Sequence, residues 1–168
     1  MEIVIILGLI FFNGILSMSE IAMVSARKSR LETAAKKGSK TAKTALRLAN
    51  EPDRFLSTIQ IGITLIGILT GLYSGEALAG DLARWLETIG IPQAHSLTLA
   101  KGIIVILVTY LTLILGELVP KHLGMNAPEK IARLIARPME VLSKIASPFV
   151  WLLSASTQAV IRLTGLHT

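Results

Sequence analysis

Two glutamates lie inside long apolar stretches of this chain, and their chemistry most needs an explanation. Glu20 falls within the apolar run 3–24, and Glu117 within the run 102–119. An ionisable side chain inside a membrane span costs about 2.5–3.5 kcal/mol on insertion scales, so each glutamate needs a partner or a role. Reaching water at the membrane interface is the plain alternative for either residue alone. We expect both to lie at similar depth, toward the same ends of their spans, where they could face one cavity.

Each glutamate has residues near it in the sequence that can supply oxygen ligands. Ser17 and Ser19 precede Glu20, and Ser17 shares a helix face with it because the two residues are three apart. Pro120 has no backbone N–H, so a carbonyl one turn back, near Gly116, loses its helical partner. Carbonyls freed in this way at membrane depth can coordinate cations.

A third apolar run, 55–73, contains no charged residue but carries polar side chains with oxygen atoms. Hydroxyl, amide and carboxylate oxygens are the ligands that hard cations such as Mg²⁺ prefer. Hydrogen bonding between helices or within one turn is the alternative for each hydroxyl. The candidate ligands of this run are Ser57, Thr58, Gln60 and Thr64, and Gly62 and Gly67 allow close helix approach.

The composition indicates a membrane protein. The 168 residues are 52% hydrophobic and 17% charged, with a mean hydropathy of +0.63, whereas soluble domains are about 25% charged. Each run is close to the roughly 20 helical residues that cross a bilayer. We therefore predict an all-α fold with three transmembrane helices. Despite a net charge of +6, the long apolar runs and 5% aromatic content exclude a nucleic-acid-binding module.

Catalytic chemistry finds no support in the sequence. The chain has no cysteine, its three histidines are scattered, and no aspartate or histidine lies within the three runs. The sequence contains neither the G-x-S-x-G motif that carries a nucleophilic serine nor a glycine-rich loop that binds phosphate. We therefore predict that the protein is not an enzyme.

The charge distribution predicts the orientation. Segment 25–54 holds nine lysines and arginines against three acidic residues, whereas segment 74–100 is mainly acidic. By the positive-inside rule, the basic segment is cytoplasmic and the N-terminus lies outside the cell membrane. Its alanine and lysine content predicts that the basic segment is mostly helical, and we read 74–100 as an outer loop.

The segment that follows the third run is amphipathic. We expect a three-span core over 1–126 and a cytoplasmic juxtamembrane belt over 127–168. Pro128, Pro138 and Pro148 predict several short amphipathic helices in this belt rather than one long helix. Residues 148–161 are alternatively a short fourth span or a re-entrant piece. No catalytic domain is evident, and we expect a membrane portion of a longer protein.

Three ordered motifs together resemble the transmembrane domain of the CorC/CNNM family of magnesium transporters, hemolysin-like subgroup. They are Ser17-Met18-Ser19-Glu20, Phe-Leu-Ser-Thr-Ile-Gln-Ile-Gly-Ile-Thr at 55–64, and Gly-Glu-Leu-Val-Pro-Lys at 116–121, which ends with Pro120 and Lys121. The resemblance implies three spans, a belt of juxtamembrane helices, a homodimer, and cytosolic CBS domains, which bind ATP, outside this chain. It also implies a dehydrated Mg²⁺ in an inward-facing cavity.

The resemblance assigns ligands in each span. Ser17 or Ser19 is implied for the first helix, Ser57 or Thr58 for the second, and Gly116 with Glu117 for the third. Magnesium-transporting members commonly have asparagines where this chain has Ile63, Thr64 and Gly67. Thr64 and Gln60 are the candidates to replace the lost oxygens.

These observations predict a transmembrane module that exports divalent cations, Mg²⁺ or Co²⁺, with inward Na⁺ as the coupling ion. The alternative is a membrane anchor or sensor that relays signals to cytosolic domains without transport. A pore-forming toxin ranks third, because a stable multi-span topology does not suit a secreted soluble protein.

Overall fold

The computed structural model describes residues 2–165, and no strand occurs within that range. The predicted all-α fold is therefore confirmed. The segments are α1 (Glu2–Ser25), α2 (Lys28–Lys36), α3 (Lys40–Asn50), α4 (Pro52–Thr88), α5 (Gln93–Leu113), a π-helical turn (Ile114–Leu118), α6 (Val119–Asn126) and α7 (Pro128–Leu163).

Three helical stretches are long and apolar enough to cross a membrane: α1, α4, and the continuous stretch Gln93–Asn126 that joins α5, the π turn and α6. The three predicted spans are thus confirmed. Their outer faces leave large apolar side chains uncovered, among them Phe11 at 70% and Ile106 at 73% exposure. Such surfaces suit contact with lipid rather than water. The chain is a multi-pass membrane protein.

The second span extends well beyond its predicted end. Helix α4 has 37 residues and is therefore about 55 Å long, against a hydrocarbon core of about 30 Å. The prediction that 74–100 forms a loop is wrong, because α4 continues to Thr88 and α5 begins at Gln93. The placement of this segment on the outer side stays a prediction. Alanine, leucine, arginine and glutamate after position 75 are strong helix formers, so the helix continues where the apolar run stops.

The first and third spans run parallel to each other. A side chain at Gly116 would meet Ile10 and Asn13 of α1, whereas one at Gly124 would meet Met18, Ile21 and Ala22. Residue numbers therefore rise together along the two helices. Parallel first and third spans follow from three successive crossings, as the sequence predicts.

The basic segment folds into α2 and α3, which confirms its predicted helical character. These two helices and the first half of α7 share one core with one end of α1 and α4. Its buried members include Leu16, Leu31, Leu48, Phe55, Ile59, Ile135 and Met139. The first two spans and helices α2, α3 and α7 are therefore held together by common apolar packing.

Helix α7 corrects the prediction of several short helices. It runs unbroken from Pro128 to Leu163 with Pro138 and Pro148 inside it. A proline inside a helix costs about 3 kcal/mol or more, but both rings lie on exposed positions. The carbonyls that they leave free, those of Leu134 and Lys144, also belong to exposed residues. Burial of the opposite face stabilises the helix around Pro138.

The second half of α7 leaves the shared core. All side chains from 151 to 165 are exposed, and the last buried residue of the helix is Ala146. The placement of the belt 127–168 on the membrane remains a prediction, as does membrane entry of 148–161. Residues 166–168 of the belt lie outside the described range.

Candidate functional site

Glycines bring α1 into backbone contact with the π turn. A Cβ atom on Gly14 would lie 3.0 Å from both the Leu115 carbonyl oxygen and Cγ of Pro120. A Cβ atom on Gly116 would lie 3.1 Å from Nδ2 of Asn13. Only residues without a side chain allow this approach. It places polar atoms of α1 beside the irregular part of the third span.

The carbonyl of Gly116 lies at the centre of this contact. Its partner in a regular α-helix would be the backbone N–H of residue 120, which is a proline and has none. The helix widens here to i→i+5 bonding, with the Val119 N–H donating to the Ile114 carbonyl. The side-chain Nδ2 of Asn13 donates to the Gly116 oxygen at 3.1 Å in a buried position.

Two oxygen atoms beside this bond have no hydrogen-bond partner among the residues that the structure describes. Oδ1 of Asn13 and Oγ of Ser17 are both buried and unpaired, and the two residues are 3% and 1% exposed. Residues four apart on a helix are surface neighbours, so both oxygens belong to one face of α1. An unsatisfied buried polar group costs about 1–3 kcal/mol. We call Asn13, Ser17 and the Gly116 carbonyl the polar seam.

Asn13 was not among the ligands that the sequence predicted, although another amide, that of Gln60, was. The available signal was its position: an amide inside an apolar run, one helical turn before Ser17. Most of the other buried hydroxyls donate a hydrogen bond within their own helical turn, which was the alternative to binding a cation. Ser19 Oγ donates to the Ile15 carbonyl at 2.7 Å, and Thr58 Oγ1 donates to the Arg54 carbonyl at 2.8 Å. Ser17 differs from both because its oxygen has no such partner.

The candidate ligands of the second span lie elsewhere. Gln60 and Thr64 do share a face, with Nε2 donating to Oγ1 at 3.2 Å, but both side chains are exposed. Ser57 lines a separate cavity of about 340 Å³ between α4 and α7. Gly62 packs against Leu16 of α1, and Gly67 has open space around it. Within one chain, none of these residues joins the polar seam.

The two glutamates do not lie at one depth, which corrects our expectation. Gly116 lies level with Ile10 and Asn13, so Glu117, the next residue of the π turn, lies beside the polar seam. Gly124 lies level with 18–22, which places Glu20 beside α6. The offset is about seven residues, or roughly 10 Å along the axis. The expectation of similar depth assumed equal distances from the span ends, whereas helix register depends on the glycine contacts.

Both glutamates are half-buried, and neither forms a salt bridge with another described residue. Lys121 is half-buried as well, one turn beyond Glu117. Among residues 2–165 no group of three or more histidine, aspartate or glutamate side chains could hold a metal ion. Any cation at the polar seam would therefore meet mainly neutral oxygens, with Glu117 as the nearest carboxylate in sequence.

The fold and the site thus define a helical membrane protein with three spans, the third of which contains a π turn next to a proline. Residues 4–168 match the family model described as the cyclin M transmembrane N-terminal domain. The chain belongs to this CNNM family, as the three motifs predicted.

Three relatives each match almost the whole of this chain. The UPF0053 protein sll0260 of Synechocystis is 48% identical over 99% of this chain and 37% of its own length. UPF0053 protein YhdT of Bacillus subtilis is 31% identical over 98% and 36%. The protein of Escherichia coli K12 named polyamine export protein is 30% identical over 98% and 37%. The chain thus spans little more than a third of these relatives' length.

Proposed function

We propose that this chain is the transmembrane module of a cation exporter in the cell membrane, not an enzyme, with its N-terminus outside. The observation that carries the proposal is the pair of unpaired buried oxygens, Asn13 Oδ1 and Ser17 Oγ, beside the Gly116 carbonyl. A bound cation would contact both unpaired oxygens and also the Gly116 carbonyl, which already accepts one hydrogen bond from Asn13. The desolvation cost of the two unpaired oxygens is then a feature of the empty transporter that the substrate relieves.

The donor set favours hard cations. Amide, hydroxyl and carbonyl oxygens bind Mg²⁺ without any soft ligand, and Glu117 supplies charge near the seam. We propose Mg²⁺ or Co²⁺ as substrate and inward Na⁺ as the coupling ion. The same acceptors also receive hydrogen bonds from an alkylammonium group. The name of the Escherichia coli relative makes polyamines the competing substrate class.

Homodimerisation is supported by one face of α4. Gly67, Gly71 and Gly75 recur every four residues, and a Cβ atom on any of them would meet no atom of another described residue within 4 Å. Small residues at this spacing permit close contact between membrane helices. We propose that a second copy packs on this face and that cytosolic CBS domains belong to the full-length protein.

The test compares two serines of α1. The purified protein is titrated with Mg²⁺, Co²⁺, Na⁺ and putrescine while its thermal unfolding is followed. A ligand that binds only the folded state raises stability by RT ln(1 + [L]/Kd). In Ser17→Ala we expect unchanged or higher stability without ligand, since an unpaired hydroxyl is removed, and loss of the ligand-induced shift. Ser19→Ala is the matched control and should keep that shift, because Ser19 Oγ already donates to its own turn.

A second variant, Glu117→Gln, tests the carboxylate. We expect a weaker shift with divalent cations than in the native protein. Selective stabilisation by putrescine that depends on Ser17 would assign polyamines as the substrate. If no cation shifts the unfolding temperature, or if Ser17→Ala and Ser19→Ala respond equally, the anchor or sensor alternative replaces the transport proposal.

A further inference from the structure

A cationic cavity lies at the corner between α2 and α3, away from the polar seam. Its volume is about 680 Å³, and Arg30, Lys37 and Arg133 line it together with Ser39. None of the described residues that line it is acidic. Three positive side chains from two separate parts of the chain therefore converge on one space. Such a cavity attracts anions.

Arg133 is placed there by a long-range contact. It extends from α7, and its Nη2 donates to Oγ of Ser39 at 3.0 Å, joining residues 94 positions apart. A guanidinium presents several N–H donors in a planar fork that suits phosphate oxygens. The bond to Ser39 fixes the guanidinium at the cavity, and its other N–H groups have no acceptor among the described residues.

The corner also presents the N-terminus of α3. Ser39 caps this helix of 11 residues by accepting the Ala42 N–H at 3.2 Å. Gly38, with a φ of +98°, ends α2 and turns the chain towards this cap, a conformation that glycine adopts without strain. The first N–H groups of α3 have no helical acceptor, and the helix dipole favours negative charge there.

Neighbouring carboxylates leave this charge largely uncompensated. Glu129 lies 3.8 Å from Arg30, whose side chain is 64% exposed, and compensates only that one of the three positive charges. No salt bridge among the described residues involves Lys37 or Arg133. Arg30 also follows shortly after the end of α1 at Ser25. The cavity therefore lies close to where the first span leaves the bilayer.

We propose that this corner is a binding site for a phosphate group. The oxygens of the phosphate would accept from Arg133 and from the free N–H groups of α3, and Lys37 and Arg30 would neutralise its charge. The group belongs either to an anionic phospholipid headgroup or to a soluble phosphate compound. The proposal does not depend on which cation crosses at the polar seam.

The test uses the whole chain in lipid nanodiscs. One arm compares phosphatidylcholine discs with discs that also contain phosphatidylglycerol, and the other adds inorganic pyrophosphate to phosphatidylcholine discs. Thermal unfolding and native mass spectrometry report binding. Lys37→Gln removes one cavity charge. Lys43→Gln is the matched control, since Lys43 is also exposed, lies in α3 and does not line the cavity.

We expect stabilisation in at least one arm, with an affinity reduced about fivefold in Lys37→Gln, the equivalent of one basic residue at such a site, and unchanged in Lys43→Gln. Arg133→Lys, which keeps the charge but loses the planar fork, should also weaken binding. A response to phosphatidylglycerol alone assigns a lipid headgroup, and one to pyrophosphate alone assigns a soluble phosphate. A response to both assigns a phosphate site open to either. If neither ligand stabilises the protein, or if Lys37→Gln and Lys43→Gln lose equal affinity, the proposal is overturned.

Discussion

Replacing Gly124 by alanine should separate the first span from the third. A Cβ atom at this position would lie 2.8 Å from the Met18 carbonyl oxygen and 3.4 Å from the Ala22 nitrogen, and it would also overlap Cγ2 of Ile21. The isoleucine side chain can change rotamer, but the two backbone atoms cannot move without shifting α1. Relief therefore requires α1 and α6 to move apart.

The expected size follows from two opposing effects. Overpacking a tight contact costs about 1–3 kcal/mol, and a clash with backbone belongs in the upper part of that range. Alanine is preferred to glycine in a helix by about 0.5–1 kcal/mol. We therefore expect Gly124→Ala to lower the free energy of unfolding by about 2 kcal/mol. The shift of α1 should also lengthen the bond between Asn13 and Gly116.

Two other glycines serve as controls. A Cβ atom on Gly62 would meet only the end of the Leu16 side chain, at 2.8 Å, and one on Gly102 would meet nothing within 4 Å. Rotamer strain of about 0.5–1.5 kcal/mol should roughly cancel the helix gain in Gly62→Ala, and Gly102→Ala should be neutral or stabilising. Reversible unfolding in mixed micelles, followed by tryptophan fluorescence, gives the three values. Equal stability of Gly124→Ala and Gly102→Ala would refute the close approach of the two spans.

Other consequences concern single side chains. Asn13→Ala leaves the Gly116 carbonyl without its donor but also removes the unpaired Oδ1, so we expect a net loss of only about 1 kcal/mol; a midpoint of micellar unfolding above that of the native protein would contradict the bond. Burial opposes the charged form of Glu129, yet backbone N–H donors of Glu129 and Arg27 and the charges of Arg30 and Arg27 hold its pKa below the ordinary value. The stability that charged Glu129 contributes is fully present above the pKa that this carboxyl has in the unfolded state. It is lost as the pH falls through the pKa of the folded state. Glu129→Gln should therefore lower neutral-pH stability by less than about 1 kcal/mol, with the difference vanishing in acid; a pH-independent difference would exclude this cause. Pro138→Ala restores a backbone donor to an exposed helix position and should raise the thermal midpoint, whereas a lower midpoint would show that the packing of α7 needs the proline.

Much of the architecture could be predicted because it depends on local composition. The apolar runs specify three spans, and the alanine and lysine content of 25–54 specifies helices, since both properties arise within each segment. The free carbonyl of Gly116 was also predictable, because the missing N–H is a covalent property of Pro120. Two predictions from local sequence were wrong: that the second span ends where its apolar run ends, and that the prolines divide the segment after the third span into short helices. Strong helix formers extend α4 through the expected loop, and packing of one face stabilises α7 despite its internal prolines.

What the sequence by itself determined, then, is the class of protein: three spans, basic helices beside them and a break in the third span. Only the tertiary structure decided which atoms meet at that break. The donor for Gly116 is 103 residues away in Asn13, and the levels of Glu20 and Glu117 depend on glycine contacts between two helices. Arg133 likewise meets Ser39 only after folding. Such partners depend on helix register and close approach, which are properties of the packed helices and not of any single segment.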